Sequence, residues 1–98
     1  MFDIYWTHRG ESNFNCLKSE PSLAKHYKAV KKTIELLSAH PRHNSLQTHE
    51  FTSLKGPKGA KVFEAYAEQN TPGAYRVFWY YGPFKNQLTI IAISGTRK

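Results

Sequence analysis

One cysteine, Cys16, stands alone in the chain, so an internal disulfide is excluded and a reducing, cytosolic setting is expected. Long apolar runs are missing too. The stretch Ile90 to Ile93 falls far short of the ~20 residues a membrane helix needs, so no membrane partner is expected. Asp3, His8 and Arg9 interrupt the first residues and no apolar stretch follows, which speaks against a secretory leader. There is no glycine-rich phosphate loop of the GxxxxGKS kind; Gly56, Gly59 and Lys61 make only a basic turn. Acids are scarce: seven Asp and Glu against fourteen Lys and Arg give a formal charge of +7. That field favours nucleic acid, an acidic protein segment or an anionic surface, without choosing among them. What remains is an ordinary globular composition, 40% hydrophobic and 14% aromatic, with room in 98 residues for one core, hence a single domain spanning 1–98.

Phe2 to Trp6 alternates as a short strand, with Phe2, Ile4 and Trp6 on one face. His8 to Asn15 is polar, contains Gly10, and reads as a loop or a weak short helix. Pro21, with Ser19 and Ser22 to cap free N–H groups, signals a helix start. From there Leu23, Tyr27, Val30, Ile34 and Leu37 recur at steps of four and three, an apolar stripe on a helix that ends before Pro41. His49 to Leu54 reads as a short strand or extended arm, and three strands follow it, over Val62 to Glu68, Tyr75 to Tyr81 and Leu88 to Ser94. Turns at Lys55–Gly59, Thr71–Gly73 and Gly82–Asn86 divide them. The expected fold class is α+β: an N-terminal strand and a helical segment packed on a twisted antiparallel sheet. Parity along Tyr75 to Tyr81 predicts Val77 and Trp79 inward against the helix, whose stripe with Ile34 is expected to bury against Val77, Trp79, Ile91 and Ile93. It leaves Arg76, Phe78 and Tyr80 on an open face.

In order and spacing, several segments resemble the RelE/ParE superfamily of bacterial toxins, of the RelE-like kind. They are the helix ending in His40-Pro41, then Ser53-Leu54-Lys55-Gly56, Val62-Phe63-Glu64-Ala65-Tyr66, Gly73-Ala74-Tyr75-Arg76-Val77-Phe78-Trp79 and Thr89-Ile90-Ile91-Ala92-Ile93. The resemblance implies the toxin component of a type II toxin–antitoxin system, with a cognate antitoxin as partner. It also implies ribosome-dependent mRNA cleavage, so that ribosome and mRNA are partners and no cofactor is needed. ParE-like relatives imply instead a non-enzymatic inhibitor of DNA gyrase. A toxin-fold RNA- or protein-binding module without toxicity is the third alternative.

Carried over by position, Arg76 matches the family's strand arginine and Arg97 the arginine after the last strand, with Tyr66 assisting. Glu64 and Tyr66 stand where RelE carries two lysines, and its tyrosine beyond the last arginine has no counterpart before Lys98. Basic and aromatic candidates for RNA binding are Lys25, Lys28 and Lys32 on the helix, Lys55, Lys58 and Lys61 around the turn, and Tyr80. Arg76 is either a phosphate-binding guanidinium or a sheet-surface arginine stacked on aromatics and paired with Glu64 or Glu68. His40, His43 and His49 lie close in sequence, but Arg42 sits between two of them and Cys16 is distant, so no metal site is expected. A proton-transfer role for His43 or His49 and a polar-connector role both stand. Cys16 reads as a small, partly buried residue.

Overall fold

The computed structural model describes residues 1–69 and 73–95. Strand β1 (Asp3–Trp6) leads into helix α1 (His8–Ser19). A 3-10 turn at Pro21–Leu23 then precedes helix α2 (Ala24–Ala39). Strands β2 (His49–Lys55), β3 (Lys61–Tyr66), β4 (Tyr75–Tyr81) and β5 (Gln87–Gly95) complete the chain. The sheet order is β1-β5-β4-β3-β2; β2 to β5 are antiparallel, and β1 returns parallel to β5 at the far edge.

One core lies between the helices and one sheet face. Val30, Ile34 and Leu37 of α2 are buried there, with Leu23 and Tyr27 packed at its margin, so the predicted stripe holds. Val77, Trp79, Leu88, Ile90 and Ile93 meet them from the sheet, and Leu46 closes the connector between α2 and β2. Phe2, Ile4 and Trp6 pack from β1, the face their alternation predicts. Ser38 ties the two ends together: its carbonyl accepts from Phe2 N and its hydroxyl donates to Phe2 O. Among the described residues no helix is long and apolar enough to cross a membrane.

The segment read as a loop or weak helix is a full helix. Thr7 caps α1, its Oγ1 accepting from Gly10 N at 3.0 Å and donating to Ile91 O at 2.8 Å, so one hydroxyl both starts the helix and pins it to β5. Gly10 lies flush on that strand: a Cβ here would sit 2.5 Å from Ile90 O. Asn13 Oδ1 then accepts from Ile93 N, satisfying an N–H of β5 beyond the end of its pairing with β1. These are tertiary contacts, and the weak local helix propensity of a polar, Gly-containing segment does not report them.

Three further expectations are corrected. Neither Ser19 nor Ser22 caps the second helix; Ser19 donates to Cys16 O and Ser22 to the Glu20 carboxylate, while Pro21 opens the 3-10 turn. Ile91 is not a core residue opposite Ile34. Phe78 pairs with Ala92 but Trp79 with Ile90, so Ile91 is the extra residue of a bulge. The inward positions therefore step from Ile90 to Ile93 rather than by strict twos. Cys16 is exposed, not partly buried.

Candidate functional site

The sheet face turned away from the helices carries Glu64, Arg76, Phe78 and Tyr80, alternate residues of β3 and β4. Cross-strand register sets Tyr66 against Arg76 and Glu64 against Phe78, placing Glu64 and Arg76 as diagonal neighbours. Arg76 Nη1 donates to Glu64 Oε2, and His49 Nε2 of β2 lies 2.7 Å from Glu64 Oε1. One carboxylate, 3% exposed, thus joins an arginine 30% exposed and a histidine 48% exposed. The acid is out of a ligand's reach; the two groups it holds are not. Burying the acid is tolerable because both oxygens are matched by donors.

His49 is fixed on its other side as well, Nδ1 lying 3.0 Å from Gln47 O, and its ring stands edge-on to Tyr66 at 5.7 Å. Gln47 takes a left-handed conformation (φ 47°), which turns the connector so that His49 enters β2 beside Glu64. Both ring nitrogens face acceptors, so the ring makes both bonds as donor when it carries both protons.

The guanidinium of Arg76 lies 5.7 Å from the centre of the Phe78 ring. Arg76 Nε is buried and finds no hydrogen-bond partner among the described residues. Parity alone predicts Phe78 on open surface, and that expectation is corrected. Phe78 is 7% exposed, because Phe51 of β2 closes over it with ring centres 4.9 Å apart. The register between β2 and β3 is interrupted between Glu50 and Lys55, which releases the Phe51–Leu54 stretch from regular pairing. Phe51, Ser53, Leu54, Phe78, Ala92 and Ser94 line an open groove on this face, and Arg9 at the start of α1 reaches it too.

Of the two acids weighed as partners for Arg76, Glu68 is occupied elsewhere. Its carboxylate oxygens lie 2.8 and 2.9 Å from His26 Nδ1 on α2, and it accepts from Tyr75 N at 3.0 Å. His43 Nδ1 accepts from Ser45 N, capping the start of the 3-10 turn Asn44–Leu46, so it serves the connector; the His40 and His43 rings touch each other at 5.6 Å. Among the described residues no three His, Cys, Asp or Glu side chains are placed to hold a metal ion together.

The remaining sequence candidates separate into groups. Tyr66 joins the Arg76 cluster, and Lys32 lines a shallow cleft with it on the α2 side. Lys25 and Lys28 are exposed on α2, the layer opposite Arg76. Lys55 and Lys61 face each other at the base of the β2–β3 hairpin, and Lys58 and Tyr80 line one cleft at that end of the sheet. Arg97, and the turn expected at Thr71–Pro72, lie outside the described residues. Glu64 was legible as one of two acids that could pair with Arg76, and His49 as one of two histidines weighed for proton transfer; that one carboxylate holds both was not legible.

The sequence matches no protein-family model and no curated protein. Two solved structures are similar to it over nearly the whole chain. A YoeB/ParE toxin from Agrobacterium tumefaciens gives a TM-score of 0.70 at 12% identity, covering 97% of this chain and 99% of that one. An archaeal RelE–RelB complex from Pyrococcus horikoshii OT3 gives 0.63 at 15% identity, covering 96% and 93%.

Proposed function

We propose that this chain, which has the RelE/ParE toxin fold, is the toxin of a type II toxin–antitoxin pair and cleaves mRNA on the ribosome through the Arg76–Glu64–His49 cluster. The observation that carries the reading is the buried Glu64 carboxylate. It holds a guanidinium and an imidazole side by side, both partly exposed, on a rigid sheet face. Cleavage by a neighbouring 2′-hydroxyl needs little more. The hydroxyl oxygen attacks phosphorus, the bond to the 5′-oxygen breaks, and a cyclic phosphate and a 5′-hydroxyl result. One proton leaves the 2′-oxygen, another reaches the 5′-oxygen, and negative charge on the phosphorane must be met.

Arg76 meets that charge. Its Nη1 is committed to Glu64, which fixes the plane of the fork, and Nη2 makes no hydrogen bond to a described residue. His49 carries a proton, its exposed bond to Gln47 O being the one to open, and Tyr66 stands beside it. The basic chain supplies attraction to the ribosome. An antitoxin is the expected protein partner, as one of the similar structures is a RelE–RelB complex.

The test is induction of the wild-type chain in a bacterium, followed by mapping of mRNA 5′ ends on stalled ribosomes. New ends that vanish in His49→Ala and Arg76→Ala support the reading. Growth arrest with no new ends and a change in DNA supercoiling overturns it in favour of gyrase inhibition.

A further inference from the structure

At the end of β4 remote from Arg76, the rings of Tyr80, Tyr81 and Phe84 converge with Pro57, Lys58 and Pro83 on a cleft of about 330 Å³. Phe84 is 74% exposed. Among the described residues neither Phe84 nor Tyr80 meets another aromatic ring, whereas Tyr81 is held edge-on to Trp79 at 4.8 Å. The Tyr80 ring is positioned by two glycines. A Cβ on Gly56 would lie 3.4 Å from it and one on Gly82 3.7 Å, so the hairpin turn and the β4–β5 turn both come close to the ring. Cations lie on the two turns that form the cleft and next to them. Lys58 lines it, Lys55 and Lys61 face each other at the hairpin base, and Lys85 follows Phe84 in the turn. Neither 51–63 nor 79–95 contains an Asp or Glu, although Asp3 of β1 lies opposite Gln87.

An exposed ring, Phe84, and a half-buried one, Tyr80, neither meeting another ring among the described residues and both near lysines in stretches lacking acids, match single-stranded nucleic acid better than a protein segment. Bases stack on the rings whatever their identity, and phosphates meet the ammonium groups. We propose that the Tyr80–Phe84 cleft is a nucleobase site that seats one unpaired base of a single-stranded RNA. Its place on the strand rests on the cleavage reading of the Arg76 cluster. Arg76 and Tyr80 share a face of β4 four residues apart, about 13 Å at the rise of a strand. Stacked nucleotides are separated by ~3.4 Å and extended ones by more, so the seated base is about two to four nucleotides from the phosphate at Arg76.

The experiment is fluorescence anisotropy of the full chain with a short fluorescein-labelled single-stranded RNA, intact or with one abasic nucleotide moved along it. Phe84→Ala and Tyr80→Ala should each weaken binding about 5- to 100-fold, the loss of one stacked base, while Phe84→Trp retains it. An abasic nucleotide should reproduce the loss at one position only, and should add nothing in the Phe84→Ala variant. Phe84 is exposed, so its variants test the cleft without emptying the core. The proposal is overturned if the wild-type chain fails to bind the RNA at low salt, or if the cleft variants bind it like wild type. It is also overturned if a duplex competes equally or an acidic peptide proves the tighter, Phe84-dependent ligand. Phe84-dependent binding without cleavage on ribosomes would end the nuclease reading alone. Cleavage with unaltered affinity in Phe84→Ala would end the base site alone.

Discussion

Glu64 has a role no exposed acid could fill. Buried between Arg76 and His49, it fixes two side chains that would otherwise sample many rotamers. Arg76→Ala should therefore lower mRNA cleavage about 10²–10³-fold, as loss of one preorganised electrostatic group does. Arg76→Lys should restore only part of it, because an ammonium cannot bind Glu64 through one nitrogen while holding a second in fixed plane toward a phosphate; 5′-end mapping reads both. Folding of these variants is checked by thermal unfolding. Arg76→Lys keeps a cation beside Glu64 and should stay folded even where Arg76→Ala, which leaves the acid with His49 alone, is less stable by about 1–3 kcal/mol. A second residue also shows an unpaired polar atom. Trp79 is fully buried, yet its indole N–H has no partner among the described residues. Trp79→Phe removes that orphan along with some packing, so it should cost less than the ~3–5 kcal/mol of emptying such a site, measured by urea unfolding.

At the scale of elements, α1 and β5 depend on each other. Gly10 allows α1 to rest on the Ile90 carbonyl, and Gly10→Ala should destabilise by about 1–3 kcal/mol despite alanine's better helix propensity. A stabilised variant would mean that α1 is not seated there. The α2 stripe gives the complementary test. Ile34→Ala should lower stability by about 2–5 kcal/mol in denaturant unfolding, whereas the exposed Lys28→Ala should change it little. The bulge at Ile91 is an element-scale feature as well. It lets Ile90 and Ile93 both face the core, and so keeps Ala92 and Ser94 on the groove face beside Phe78.

The whole molecule is a layered object with a cationic surface on both sides. Helix lysines cover one layer, Arg9 and Arg76 border the other, and Lys55, Lys58 and Lys61 stand at the β2–β3 hairpin. Ribosome or RNA binding should weaken steeply as salt rises, since each phosphate neutralised releases a counterion. Lys58→Gln together with Lys61→Gln should flatten that slope more than Lys25→Gln together with Lys28→Gln, because the first pair stands at the β2–β3 hairpin, where Lys58 lines the Tyr80–Phe84 cleft, and the second lies exposed on α2. Filter binding over a salt series measures both. Equal slopes would place the nucleic acid on neither face in particular.

The sequence by itself determined the layers, because hydrophobic period is a local property. Steps of four and three marked the buried face of α2, and alternation marked Val77 and Trp79 as inward. It also determined Arg76 as a candidate and the lysine clusters as exposed. Tertiary structure alone decided what depends on contacts distant in sequence. Thr7, Gly10 and Asn13 make α1 a helix by leaning on β5 some eighty residues away, as in the Asn13–Ile93 separation of 80. Phe51 buries Phe78 from a strand two places across the sheet. His49 and Arg76, from β2 and β4, meet on Glu64 only through the register of three strands. Local propensity carries no term for such pairings; they exist because the folded sheet brings a donor to each oxygen of a carboxylate it has removed from water.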